Sequence, residues 1–386
     1  MDSSSHRGTV CGLFAGVGGL ELGLSQSGWT SELLCEIDPD AQTVLRTRLP
    51  GVALHDDVTT LQTLPAVDVL TAGFPCQDLS MAGQKVGIGG ARSGLVAHLL
   101  ELLRTAKQPP TWLVIENVPY MLSLNGGAAM QWLTGQLEAL GFGWAYRVVD
   151  ARSMGVPQRR LRVLLVASRT QDPCRVLFAD DVPEQVDDST SIADDSLAYG
   201  FYWTEGRRGL GWAVDGVPTI KGGSTIGIPS PPAIWVRATG EIGTPDIRDL
   251  ERMQGFPADW TGAADSRARW RLIGNAVCVP VAAWLGRRLA NPGDVVCDSI
   301  LGRPRRGRVS AAFGGPGLPF HTVACSRWPM AVERPALRDF LEYPLKPLSL
   351  RATRGYLSRA EQSTALRFSP GFLPAVRSHL AQMRAA

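Results

Sequence analysis

No stretch of this chain is both apolar and long enough to cross a bilayer, and its start, Met1-Asp2-Ser3-Ser4-Ser5-His6-Arg7, has no secretory hydrophobic region. The seven cysteines are odd in number and scattered, with no C-x-x-C, and the five histidines show no ligand spacing. Free thiols in a reducing cytoplasm and no metal are therefore expected. A complete G-x-G-x-x-G is also missing, because Glu21 stands where the third glycine would be. That gap, with no well-placed proton-donor His or Lys, argues against a dehydrogenase. Internal repeats are absent as well.

What is present is a globular composition, 45% hydrophobic and 19% charged over 386 residues, enough for one large domain or two to three smaller ones. The net charge of +3 hides an asymmetry. From Leu301 to Ala386 there are 14 Lys and Arg against four Asp and Glu, so the residues before them carry a net −7. Such a tail either faces nucleic acid or packs against the acidic body and neutralises it.

The N-terminal segment reads as strand, glycine turn and helix. Thr9 to Phe14 is apolar, Ala15-Gly16-Val17-Gly18-Gly19 turns, and Leu20 opens the helix. A second strand, Ser31 to Cys35, ends on Glu36, and a third ends near Asp57. Glycines that admit a ligand to the backbone, followed by an acid at the next strand's tip, suit a nucleoside. Val67 to Ala72 is a buried strand stopped by Gly73-Phe74-Pro75-Cys76-Gln77, which sets Cys76 on a turn where open α/β sheets place ligands. The segment from Met81 to Ser93 is glycine-rich and has the character of a lid. Trp112 to Ile115 carries Glu116 at its end, and a carboxylate there is costly unless it meets a polar site. In Gln158-Arg159-Arg160-Leu161-Arg162 the period of two puts Arg160 and Arg162 on one side, suited to a phosphate or a polarised carbonyl.

The pattern breaks from Arg169 to about Ile242, where aspartate pairs, Gly-Pro runs and aromatics cluster, and it returns with Ile247 to Met253 and Val279 to Leu289. The expected division is a catalytic and cofactor domain over 8–168, an insertion over 169–245, a return segment over 246–291 and a basic extension over 292–386.

Phe14-Ala15-Gly16-Val17-Gly18-Gly19, Gly73 to Gln77, Glu116-Asn117-Val118, Gln158 to Arg162, Arg248 to Pro257 and Gly274-Asn275-Ala276-Val277 occur in this order, and together they resemble the motifs of the cytosine carbon-5 DNA methyltransferases. The family often has Ser where this chain has Ala276. The resemblance implies an α/β fold: a Rossmann-like S-adenosylmethionine-dependent sheet domain with a smaller, irregular target-recognition domain inserted. It implies S-adenosylmethionine on Phe14, Ala15, Gly16, Gly18, Gly19, Glu36, Ile37, Asp57, Val58, Pro75, Asn275 and Ala276. Catalysis would fall to Cys76, attacking carbon 6 of a flipped-out cytosine, with Glu116 at ring nitrogen 3 and Arg160 and Arg162 nearby. It further implies double-stranded DNA as partner, a monomer, a cytoplasmic protein of bacterial or phage origin, and a separate restriction endonuclease as companion. A tRNA cytosine methyltransferase of the same fold and a catalytically dead DNA-binding module are the rivals.

Overall fold

Val69–Ala72 and Trp112–Asn117 are buried along their whole length, as parallel strands covered on both faces must be. They lie in the middle of a ten-stranded sheet in a computed structural model that describes residues 7–75, 94–185, 194–206, 209–223, 229–302, 309–363 and 368–385. Cys76, Gln77 and the glycine-rich segment 81–93 lie outside the described residues.

The chain divides into two compact units. The first takes Met1–Ser153, Leu161–Glu184 and Val277–Ala331. Its sheet strands are β1 (Gly8–Leu13), β2 (Trp29–Cys35), β3 (Ala53–His55), β4 (Val69–Ala72), β5 (Trp112–Asn117), β6 (Gly143–Asp150), β7 (Leu161–Ser168), β8 (Asp298–Leu301), β9 (Ala311–Gly315) and β10 (Leu318–Ala324). Across the sheet the order is β8-β10-β9-β6-β7-β5-β4-β1-β2-β3. β1 to β5 run parallel, and β6 to β10 pair antiparallel. The chain winds outward from β1 through β2 to β3, then returns to place β4 on the other side of β1. This reversal makes the carboxyl ends of β1 and β4 a topological switch point, the usual ligand position in such sheets.

Leu13, Leu70, Val114, Ile115, Val163 and Leu165 are core residues of this sheet, with the amphipathic helix Leu95–Thr105 turning Val96, Leu99, Leu102 and Leu103 inward. The helix Val279–Ala290 packs on Gly19–Ser25 so closely that a side chain on Gly23 would collide with Ala282 and Ala283.

The second unit takes Met154–Arg160, Gln185–Ala276 and Val332–Ala386. Where irregular structure was expected, a five-stranded antiparallel sheet forms from Ala198–Phe201, Trp212–Val214, Ala233–Val236, Glu241–Thr244 and Lys346–Pro347. Its strands are only two to four residues long between Gly and Pro, too short for a clear period of two. The aromatics of the insertion form its core. Tyr199 stacks on Trp212 and Trp235, both at 5.1 Å, and Phe201 meets Tyr356 at 4.7 Å and Phe372 at 5.1 Å.

The extension 292–386 is therefore not one piece. Its first part adds β8 to β10 to the large sheet, and its last part adds Leu350–Glu361 and Phe372–Ala385 to the small one. The return segment 246–291 is divided as well, since Ile247–Met253 and Ser266–Asn275 belong to the second unit and Val279–Ala290 to the first. Of the arginines on the helix Leu350–Glu361, Arg351 and Arg354 are exposed, whereas Arg359 donates to the Trp203 carbonyl.

The expectation of free thiols holds for Cys11, Cys35, Cys174 and Cys278 and fails for Cys297 and Cys325. Those two flank the β8–β10 pairing at a Cα separation of 5.6 Å, and they form a disulfide. Strand pairing across 28 residues brings them together, which no spacing rule discloses. Among the described residues, the grouping with metal-ligand geometry is these two cysteines with Asp181. Its sulfurs are already bonded to each other, so they are not thiolate ligands. No helix among the described residues is long and apolar enough to cross a membrane.

Candidate active site

Three neighbouring residues of the turn after β1 take left-handed backbone: Phe14 at φ 59°, Gly16 at φ 57° and Gly18 at φ 82°. Glycine adopts this without a Cβ penalty, but a phenylalanine there is strained and is held only by its surroundings. Its ring meets Phe74 edge-on at 6.2 Å. The turn is tied down by Ala15 N–H donating to the Cys35 carbonyl at 3.0 Å and Gly18 N–H to the Ala15 carbonyl at 3.0 Å.

Glu36 closes this turn from the tip of β2. Its Oε2 accepts from Gly16 N–H at 2.7 Å and its Oε1 from Asp38 N–H at 2.8 Å. The neighbouring Ile37 leaves 71% of its surface exposed, an apolar face at the same strand tip. Asp57 caps the turn Val58–Thr60 by accepting from Thr59 N–H and Oγ1, both at 2.8 Å. These bonds from Thr59 hold its carboxyl below the usual range, so it stays anionic near neutral pH. Val58 itself is buried.

The turn after β4 lies against the same place. A side chain on Gly73 would sit 3.7 Å from the Phe14 carbonyl and 3.9 Å from Glu116 Oε2. Asn117 Nδ2 donates to the Phe74 carbonyl at 2.9 Å and its Oδ1 accepts from Val118 N–H at 2.9 Å. The backbone that delivers the chain to exposed Pro75 is thereby fixed. Asn117 carries no role in the sequence reading, although it stands at the end of an apolar strand and within the motif Glu116-Asn117-Val118.

Glu116 is 8% exposed on β5, opposite Leu164 of β7. Arg162 lies two residues from Leu164 and so shares its face, and its Nε is 2.9 Å from Glu116 Oε1. A half-buried anion and cation are thus paired at the strand tips, with the guanidinium also donating to the Leu161 carbonyl at 2.8 Å.

Arg160 does something else, and the expectation that it shares a ligand with Arg162 does not fit its partners. The two arginines fall in different units, because the extended segment breaks between Gln158–Arg159 and β7. Arg160 is buried and donates to the carbonyls of Ile220 at 2.9 Å, Gly274 at 3.3 Å and Ala276 at 2.7 Å. A guanidinium filled by three carbonyls is a brace for the Gly274–Ala276 turn, not a free anion clamp. Gln158 braces the same region through the Met253 carbonyl, Gln254 Oε1 and Ile220 N–H. Asn275 is exposed at the end of its helix, and its Oδ1 would collide with a side chain on Gly222. Ala276 is buried at the helix cap.

A glycine turn, acid strand tips and an acid–arginine pair around one switch point define a nucleoside-dependent enzyme on a Rossmann-like sheet. The C-5 cytosine-specific DNA methylase family model matches residues 8–204 and 244–291, and the chain belongs to that family. It is a DNA cytosine-5 methyltransferase. It is 50% identical over 375 residues to the type II methyltransferase M2.BsuMI of Bacillus subtilis (strain 168), covering 94% of this chain and 96% of that protein. It is 28% identical over 295 residues to the type II methyltransferase M.MspI of Moraxella sp, covering 72% and 69%. Among solved structures the S. pombe Dnmt2 methyltransferase matches with a TM-score of 0.54 at 17% identity, covering 74% of this chain and 99% of that one, which supports the fold.

Proposed function

We propose that this enzyme methylates carbon 5 of a cytosine flipped out of duplex DNA, through a covalent adduct of Cys76. The observation that carries this is the meeting of the Phe14 carbonyl and the Glu116 carboxylate at Gly73, three residues before Cys76. It gathers a nucleoside turn, a paired acid and the approach to a thiol around one point.

The residues present fit S-adenosylmethionine. Glu36 and Asp57 offer carboxylate oxygens at two strand tips, Ile37 and Phe14 offer apolar faces, and the glycines leave room for a ligand. Bound there, S-adenosylmethionine supplies the methyl group. Burial pushes the thiols of Cys11 and Cys35 up to about 12 and that of Cys174 higher still, so none of these competes as a thiolate.

Cys76 thiolate forms a bond to carbon 6 of the ring, and the displaced electron pair moves through carbon 5 toward the carbonyl. Glu116 holds a proton between itself and ring nitrogen 3, which offsets the charge that develops. Arg162 keeps that carboxyl oriented and extends the positive field to the carbonyl oxygen. Once carbon 5 has gained its methyl group, its proton leaves to a base. The electron pair then re-forms the double bond and expels Cys76. Arg160 acts at a distance, by bracing the turn that presents Asn275.

We assign target recognition to the second unit. In support, the matched family blocks leave out 205–243, the stretch that builds much of the small sheet. Exchanging 185–245 for the matching segment of a relative of different specificity is expected to change which cytosines are methylated, as bisulfite sequencing would show. An unchanged pattern in a folded, active hybrid would refute the assignment. Labelled methyl transfer to duplex DNA against tRNA tests the substrate; incorporation into tRNA alone would favour the RNA reading.

For the cofactor, Glu36→Ala is expected to weaken S-adenosylmethionine binding about tenfold to a hundredfold, from about 1.5–3 kcal/mol for a lost bond to a charged group. Calorimetry giving an unchanged affinity would move the cofactor elsewhere.

A further inference from the structure

Glu21 is the third residue of the helix Gly19–Ser25, and only 2% of its surface is exposed. Its carboxyl points back beneath the glycine turn. A side chain on Gly12 of β1 would collide with Glu21 Oε1, and one on Gly18 would sit 4.0 Å from Oε2. Neither oxygen has a well-aligned hydrogen bond, and nor does the buried hydroxyl of Thr71 on β4. A buried carboxyl left this way is costly and calls for a role.

Several groups face it. Burial dominates and, with repulsion from Glu36 at the tip of β2, outweighs its own backbone N–H and the Thr71 hydroxyl, so its pKa is raised to about 7. Cys11 on β1 is a protonated thiol there, pushed up to about 12. The helix Val279–Ala290 meets this one through Ala282 and Ala283, while its Arg287 contacts Met330 Sδ and its Arg288 pairs with Asp180.

We propose that Glu21, whose buried carboxyl lies beneath the glycine turn, links a proton to the cofactor's charge: it holds a proton in the empty enzyme and releases it to solvent when the sulfonium cation binds. The inference rests on the cofactor reading above. The methylated product leaves behind a neutral thioether, for which the carboxylate has no such preference, so Glu21 takes a proton back. The group thereby favours cofactor over spent cofactor. Because a cation lowers the pKa of a nearby acid, affinity for the sulfonium rises with pH below about 7 and levels off above it. The limiting slope for one proton is about tenfold per pH unit.

Titration calorimetry at one pH just below neutral, in two buffers of different ionisation heat, counts the protons released. Wild type is expected to release a measurable fraction of a proton more than Glu21→Gln on binding S-adenosylmethionine, and the two should match on binding S-adenosylhomocysteine. A merely structural glutamate would change affinity without changing this count. Equal release by both proteins would overturn the inference while leaving the cofactor site standing. Binding of neither ligand by wild type would overturn the cofactor reading and this inference with it. Should Glu21→Gln fail to fold, infrared difference spectra of wild type serve instead. S-adenosylmethionine should diminish the protonated-carboxyl band, and an undiminished band would overturn the proposal.

Discussion

Cys76→Ala is expected to abolish methyl transfer, by on the order of 10^4-fold or more, while S-adenosylmethionine binding survives. The two effects separate because the residues around the glycine turn hold each other: Glu36 fixes Gly16, and Asn117 fixes Phe74. None of these bonds involves the thiol. Duplex DNA carrying 5-fluorocytosine at the target makes the test specific, since fluorine cannot leave as a proton does and the adduct persists. A band shifted on a denaturing gel is expected for wild type and not for Cys76→Ala. Methylation by the alanine variant would mean that carbon 6 is activated by some other group.

Ending the chain after Ala331 is expected to destroy the second unit, not merely to weaken DNA binding as a loose basic tail would. The last segment supplies the Lys346–Pro347 strand and the helices Leu350–Glu361 and Phe372–Ala385, and Tyr356 and Phe372 are both wholly buried. Phe372 touches Phe201, Trp212, Trp235, Tyr356 and Phe368, with ring centroids 4.5 to 6.1 Å apart. Phe372→Ala alone should cost about 3–5 kcal/mol of that unit's stability, visible as an early transition in denaturant. A soluble truncation that still methylated one defined sequence would contradict this packing.

The glycine turn, Glu36, Asp57 and Glu116 were legible in sequence because each is polar or glycine at the end of an apolar run, where burial makes such a residue conspicuous. Arg160 misled because its period-two relation to Arg162 presumes one continuous strand. The break at Arg160, and the three carbonyls that claim its guanidinium, arise only on folding. The insertion's aromatics gave no sign of a core because their partners, Tyr356 and Phe372, lie more than a hundred residues further along. The Cys297–Cys325 pair was hidden for the same reason: it depends on which strands become neighbours.

The division of the chain between its two units also bears on how the protein is made. The polypeptide passes from one unit to the other five times, and each unit is assembled from three separate stretches. During synthesis, domains generally fold as they emerge, N-terminal first. Here the small sheet's outer strand, Lys346–Pro347, and the ring of Phe372 leave the ribosome more than a hundred residues after the strand Ala233–Val236. Until then the aromatic strands from Ala198 to Val236 have no cover, and their pairing waits on contacts distant in sequence, which close slowly. Nascent chains stalled before that point would present an uncovered apolar sheet to chaperones. On the proposed assignment of target recognition, the small sheet becomes competent to read DNA only after Phe372 has closed over its aromatic strands.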